Sequence, residues 1–242
     1  MKLNILIPMA GKGKRFKAAG YVEPKPLIPI AGRPMIEWSL ESLAGTGIDP
    51  NFIFVALQDD LDRGLRDTLG SKGKIVAVPE VTEGAVNTTL LASHLIDAEY
   101  PLVVANCDQF LDWNFREFLD SSSGYDCSVV VFESDNPHHS FIEAIGPDVI
   151  RVKEKEVISS LAIGGIYFYR KASDYFLGAS ELLQNNDRTN GEFYITPIFN
   201  HLIKKGKKVT YFVIDNERKH MLGTPEEVRV FLEKIARGKE SL

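Results

Sequence analysis

Residues 5–16 read Ile5-Leu6-Ile7-Pro8-Met9-Ala10-Gly11-Lys12-Gly13-Lys14-Arg15-Phe16. Its apolar start reads as a buried strand, and the unbroken run Val103-Val104-Ala105 further on reads as one covered on both faces, as in a parallel sheet flanked by helices. The first strand delivers a loop with two glycines, which allow close backbone approach, and with cations at Lys12, Lys14 and Arg15. Oriented N–H groups together with lysine and arginine heads suit a polyphosphate. Lys25 follows between Pro24 and Pro26. The prolines fix their own φ and bias their neighbours toward extended geometry, so the Lys25 ammonium is presented from a stiff segment. The spacing is no dinucleotide fingerprint, which needs glycine where Phe16 stands, and no P-loop, which needs Gly-Lys followed by Ser or Thr. A surface turn with solvated lysines is the bland alternative, and the rigid mounting of Lys25 weighs against it.

Outward from this strand, β-type runs alternate with amphipathic stretches. Strands are expected over 3–8, 52–57, 74–79 and 101–106, and helices over 34–44, 61–69 and 85–96. After Ser123 strands follow one another at 127–132, 141–145, 149–152 and 163–169, which predicts an antiparallel or mixed extension of the same sheet. Helices at 172–183 and 193–204, a strand at 209–214 and a helix at 225–236 complete the chain. Thr224 is the expected N-cap of the last helix, with Pro225 at its first position and Glu226 and Glu227 in its positive first turn. No Pro-, Gly- and Ser-rich linker or internal repeat divides the chain. We expect one α/β domain over residues 1–242, with a mixed, mainly parallel central sheet covered by helices.

The 242 residues are 44% hydrophobic and 25% charged, which excludes disordered, collagen-like and disulfide-scaffold chains. With 28 Lys plus Arg against 33 Asp plus Glu, the net charge of -5 argues against nucleic-acid or anionic-membrane partners. Cys107 and Cys127 cannot build a disulfide framework, which points to a reducing compartment. No apolar stretch nears the ~20 residues that span a bilayer. The opening run 3–10 contains Asn4 and Pro8 and lacks a small-residue cleavage site, so a cytoplasmic location is expected.

The pattern Gly11-x-Gly13-x-Arg15-Phe16, Pro24-Lys25-Pro26-Leu27 and Gly32-x-Pro34-Met35-Ile36 resembles the signature of sugar-phosphate nucleotidyltransferases, the nucleoside-diphosphate-sugar pyrophosphorylases. The resemblance continues in family order through Glu83-Gly84-Ala85, Asn106-Cys107-Asp108, Glu154-Lys155, Gly164-Gly165-Ile166-Tyr167, Gly191-Glu192-Phe193-Tyr194 and Gly223-Thr224-Pro225. It implies a Rossmann-like, GT-A-type fold with a nucleotide-binding half at 1–123 and an acceptor-binding half at 124–242. It also implies attack of a sugar-phosphate oxygen on the α-phosphorus of a nucleoside triphosphate, with release of pyrophosphate.

By the same resemblance Arg15 and Lys25 are the catalytic candidates, Arg15 on the β- and γ-phosphates and Lys25 on the α-phosphate and the incoming phosphate. Ala10, Gly11, Lys12, Gly13 and Lys14 would cradle the triphosphate, and Glu83, Gly84 and Ala85 would approach the base. Lys155, Gly165 and Glu192 would meet the acceptor, although residues 153–156 also read as an exposed strand of alternating charge. Asp108 ends an apolar strand at the sheet edge where open α/β folds place ligands, and suits Mg²⁺. An Asp there also suits a turn cap, and Asp112 is nearer to that role. His138 and His139 lack partners at metal-ligand spacing and read as surface residues. One departure stands out: many members carry Asp two residues before the Gly-Thr-Pro, and this chain has Met221. Asp215, Glu217 or His220 are the substitutes the sequence offers, unless one carboxylate suffices. CTP and UTP are the favoured nucleotides, glycan or capsule precursors the expected products, and a homo-oligomer is compatible with the resemblance. The alternatives are a glycosyltransferase of related fold, against which Arg15 and Lys25 argue, and a nucleotide-sugar-binding regulator, which Met221 motivates.

Overall fold

The computed structural model describes residues 1–45 and 47–240, the last three as backbone only. The opening apolar run lies at the middle of a nine-stranded sheet. β1 (Lys2–Pro8), β2 (Asp49–Leu57), β3 (Lys74–Val78) and β4 (Leu102–Ala105) run parallel in the order β3-β2-β1-β4. Leu6 and Val104 join one core cluster, while Ile5, Ile7, Val103 and Ala105 join another, so both faces of these strands are covered. That is why they read as unbroken apolar runs.

β5 (Gln109–Leu111) leaves the sheet and pairs with β11 (Lys219–Met221) in a small antiparallel ribbon. The remaining strands of the main sheet are β6 (Cys127–Glu133), β7 (Ser140–Ile145), β8 (Asp148–Glu154), β9 (Leu161–Tyr169) and β10 (Val209–Val213). β9 runs antiparallel to β4, β6 and β7, and β10 runs parallel to β6. The change of texture after Ser123 thus marks where the parallel half gives way to a mixed extension of the same sheet.

The labelled helices are α1 (Lys14–Ala18), α2 (Met35–Glu41), α3 (Ala85–Leu90), α4 (Phe115–Ser121), α5 (Ala172–Gln184), α6 (Ile198–Lys204) and α7 (Pro225–Glu240). Thr224 caps α7 as expected, its hydroxyl accepting from the Glu227 N–H at 3.2 Å. Three expectations need correction. The helix expected at 61–69 is broken by a π-type turn, Leu61–Leu65, because Gly64 takes φ 106°. The helix expected at 85–96 ends at Leu90, followed by a 3₁₀ turn at Ser93–Leu95. The helix expected at 193–204 starts only at Ile198, because the Phe193 backbone is bonded to Glu83 and Val86 instead. The β5/β11 ribbon had no counterpart in the sequence reading, whereas α4 starts at the Asp112-Trp113-Asn114 stretch that reads as a possible helix start. Asn114 caps α4, accepting from the N–H groups of Arg116 and Glu117.

A third, smaller core joins the start of the chain to its end. Phe16, Ile28, Ile30 and Met35 pack with Leu222, Val228 and Phe231 of the α7 region. Phe16, 2% exposed, therefore anchors the cationic loop to the last helix. Among the described residues no helix is long and apolar enough to cross a membrane.

Candidate active site

At the carboxyl ends of β1 and β4 lies a cavity of about 210 Å³, lined by Pro8, Met9, Gly11, Lys25, Asn106 and Asp108 among others. A larger cleft of about 690 Å³ lies elsewhere, lined by Leu40, Leu43, Ile48 and Phe52. That cleft is mostly apolar and contains none of the cationic loop, so the smaller cavity is the chemically equipped one. It sits where open α/β sheets hold their ligands.

The loop leaving β1 lays its backbone toward this cavity. Gly13 takes φ 59°, and a Cβ there would stand 3.2 Å from that of Lys25, so the glycine lets the two cationic segments touch. The N–H groups of Gly11, Lys12 and Gly13 find no acceptor among the described residues. Lys12, Lys14 and Arg15 are exposed and make no ion pair among the described residues. Donors left open beside free cations are what an anion needs.

Lys25 opens a 3₁₀ turn, Lys25–Leu27, rather than an extended segment. Its Nζ donates to Asp108 Oδ2 at 2.5 Å, both side chains being largely buried. Burial works against the ammonium, but the Asp108 carboxylate outweighs it and holds the Lys25 pKa above its ordinary value, with Arg15 pulling the other way. The lysine is therefore a fixed positive charge at neutral pH. Cys107, between the site residues, is buried and its thiol is pushed up to about 12, first by burial and then by Asp108, so it is not a nucleophile.

Gly165 lies within a bulge of β9, where the register with β6 shifts between Ile163 and Tyr167. It takes φ 74°, and a Cβ would stand 2.5 Å from Asn106 Nδ2 and 2.7 Å from Gln109 Oε1. Its carbonyl accepts from the Asn106 N–H at 3.0 Å and from Gln109 Nε2 at 3.2 Å. What the glycine admits in this structure is the pair of side chains on either side of Asp108.

The segment 82–85 is tied to 188–193. Gly84 takes φ 149°, and a Cβ would stand 2.4 Å from the Phe193 carbonyl oxygen. The Phe193 N–H donates to the Glu83 carbonyl, and the Phe193 carbonyl accepts from the Val86 N–H. Arg188 binds the Glu83 carboxylate and lies 3.8 Å from the centre of the Phe193 ring. Lys155 sits in the left-handed region at φ 56°, donates to the Tyr194 hydroxyl and has its Nζ 4.2 Å from that ring's centre. Burial, opposed by Lys155, raises the Tyr194 pKa. Glu192 is exposed in the turn closed by reciprocal backbone bonds with Thr189. Lys155, Tyr194 and Glu192 thus share one region, and Glu83, Gly84 and Phe193 abut it through the same segment.

The sequence reading missed Lys219. This lysine lies over the Phe132 ring, its Nζ 3.2 Å from the centre, and burial lowers it to about 7 while Glu227 and Asp108 pull upward. Nothing in its local sequence marks it, because the β5/β11 ribbon that carries it inward was itself unforeseen. Of the candidate substitutes for Met221, each is engaged elsewhere. Asp215 caps a 3₁₀ turn by accepting from the Glu217 N–H at 2.8 Å, and Glu217 pairs with Lys234 at 3.0 Å. His220 packs its ring between Phe110 and Phe231, at 5.7 and 4.8 Å. His138 is exposed, whereas His139 is partly buried with its edge on Phe132.

The model of the nucleotidyl transferase family matches residues 5–227. The bifunctional protein GlmU of Methanococcus maripaludis is 28% identical over 212 residues, covering 85% of this chain and 48% of that protein. The chain therefore spans about half the length of the curated relatives it matches. The crystal structure of a nucleoside-diphosphate-sugar pyrophosphorylase from Vibrio cholerae is 29% identical with a TM-score of 0.83, covering 95% of this chain and 99% of that one. The inositol-1-phosphate CTP transferase of T. maritima shares the fold, with a TM-score of 0.74 at 17% identity over 97% of this chain and 96% of that one.

Proposed function

Since this chain belongs to the nucleotidyl transferase family, we propose that it transfers a nucleotidyl group from a nucleoside triphosphate, CTP or UTP, to a sugar 1-phosphate or similar phosphate. The observation that carries the reading is the Lys25–Asp108 pair at 2.5 Å beside a loop whose Gly11, Lys12 and Gly13 N–H groups have no protein acceptor.

In this reaction an acceptor phosphate oxygen forms a bond to the α-phosphorus. The bond from that phosphorus to the oxygen bridging to the β-phosphate breaks, and pyrophosphate leaves with the electron pair. Two anions must meet, so the chain's task is to neutralise charge and hold the groups in line. The Gly11–Gly13 amides would hold the triphosphate, with Ala10 beside them and Lys12 and Lys14 as outer cations. Arg15 would grip the β- and γ-phosphates and stabilise the departing charge. Lys25, already fixed as a cation, would contact the α-phosphate. Glu83, Gly84 and Ala85 would border the base, and Lys155, Gly165 and Glu192 the acceptor.

Among the described residues no three or more His, Cys, Asp or Glu side chains gather around one point. Mg²⁺ takes as few as one or two carboxylates from the protein and completes its shell with phosphate oxygens and water. Asp108 would hold it, and the ion would supply further neutralisation of phosphate charge. The product would feed glycan or capsule synthesis in the cytoplasm.

A pyrophosphate-release assay over ATP, GTP, CTP and UTP against a panel of sugar phosphates tests this. Release with CTP or UTP and one acceptor supports it. No release from any pair, with a nucleotide-sugar still binding, replaces the enzyme with a regulatory binding protein.

A further inference from the structure

The resemblance puts a second carboxylate two residues before Gly223, where this chain has Met221. A thioether is a poor ligand for a hard cation. Met221 is held in the ribbon opposite Gln109, and the Leu222 N–H donates to the Asp108 carbonyl, so this segment is fixed against the residue that bears the first carboxylate. The next residue is Gly223. A Cβ placed there would stand 2.8 Å from Asp108 Oδ2 and 3.4 Å from Glu227 Oε2. The two oxygens therefore flank the space a side chain at 223 would fill, and lie within about 6 Å of each other, a span one hexacoordinate Mg²⁺ bridges directly or through a water.

Glu227 is positioned for this by its own helix. It stands in the first turn of α7, held by the Thr224 cap, and is only partly exposed. Its carboxylate makes no hydrogen bond or ion pair within 4 Å among the described residues, whereas its neighbour Glu226 is occupied by Arg229 at 2.5 Å. We infer that Glu227 supplies the second carboxylate of the divalent-cation site, replacing the residue lost at Met221, with Gly223 leaving the space between it and Asp108.

The surrounding charges set when the ion binds. Lys25 pairs with Asp108, and Lys219 feels both carboxylates. The two lysines offset part of the charge of the two carboxylates and so weaken the attraction for a free dication. A triphosphate on the Gly11–Arg15 loop brings the missing negative charge, so the ion and nucleotide should enter together.

This inference rests on the nucleotidyl-transfer reading, and the test separates the two. Mn²⁺ binding is followed by electron paramagnetic resonance with the intact chain, without acceptor, in the presence of CTP and in parallel UTP. Glu227→Gln should weaken Mn²⁺ binding to the protein–nucleotide complex by at least ~10-fold, Glu226→Gln should leave it within twofold, and Met221→Asp added to Glu227→Gln should recover most of the loss. If Asp108→Asn loses Mn²⁺ while Glu227→Gln keeps it, this inference falls and the wider reading stands. If the wild-type chain adds nothing to the nucleotide's own Mn²⁺ affinity, the metal-dependent reading falls with it. Circular dichroism of each variant identifies a loss of binding due to misfolding, in which case Glu227→Asp, which keeps the charge, must retain more Mn²⁺ than Glu227→Gln.

Discussion

Lys25 and Asp108 were each legible as chemistry in the sequence, one between two prolines and the other at a strand end. Their ion pair was not legible, since it joins positions 83 apart and depends on how the chain returns through β2, β3 and β4 to one sheet edge. Lys219 and Glu227 were illegible as site residues for the same reason: Glu227 reads locally as a residue favoured by the helix dipole, and only the approach of α7 to Asp108 gives it a second reading. Arg15 makes no ion pair among the described residues, so removing it costs the fold little and any loss belongs to substrate. Arg15→Ala and Lys25→Ala should each lower kcat/KM for pyrophosphate release at least ~100-fold, about 2.7 kcal/mol of transition-state stabilisation. Arg15→Ala should do so with unchanged urea unfolding. Near-wild-type rates in both variants would remove them from the site.

Among the elements, the apolar pattern found the strands of the main sheet, the covered ones because they are apolar throughout, but it missed the β5/β11 ribbon and failed where tertiary contacts outbid local preference. Residues 193–197 have a helical pattern, yet the Phe193 backbone is more useful bonded to Glu83 and Val86, so α6 starts at Ile198. The break at Gly64 depends on a positive φ that a glycine permits and does not announce. The bulge at Gly165 has a sharper consequence. With φ 74° and two side-chain atoms within 2.7 Å of a would-be Cβ, Gly165→Ala should destabilise the protein by about 1–3 kcal/mol from backbone strain and crowding. Because Asn106 and Gln109 bracket Asp108, the same variant should lose activity beyond what the remaining folded fraction explains. Urea unfolding and pyrophosphate release on one preparation check both, and an unchanged unfolding midpoint would show that the bulge carries no strain.

For the whole molecule, the mildly acidic balance concealed a basic loop, and likewise it says nothing of which groups set the response to pH. Two partly buried histidines contribute on the acid side. His139, beside Phe132, is lowered to about 4 first by burial and then by Lys219 and His138. His220, between Phe110 and Phe231, is lowered to about 4 by burial and by Lys234, against the pull of Asp112 and Glu217. In the unfolded chain both take up a proton near their ordinary 6.5, so between about 6.5 and 4 the unfolded state binds more protons than the folded one. Stability then falls as pH drops through that window, is untouched by these groups above it, and loses no more to them below about 4. Their contribution is on the order of 1–3 kcal/mol each after allowance for partial exposure. His139→Gln with His220→Phe should therefore flatten the difference in unfolding free energy between pH 7 and pH 4.5 relative to the wild type. Groups common to both proteins cancel in that comparison. An equally steep pH dependence in the double variant would move the acid sensitivity away from the third core and the Phe132 contact, and onto the carboxylates.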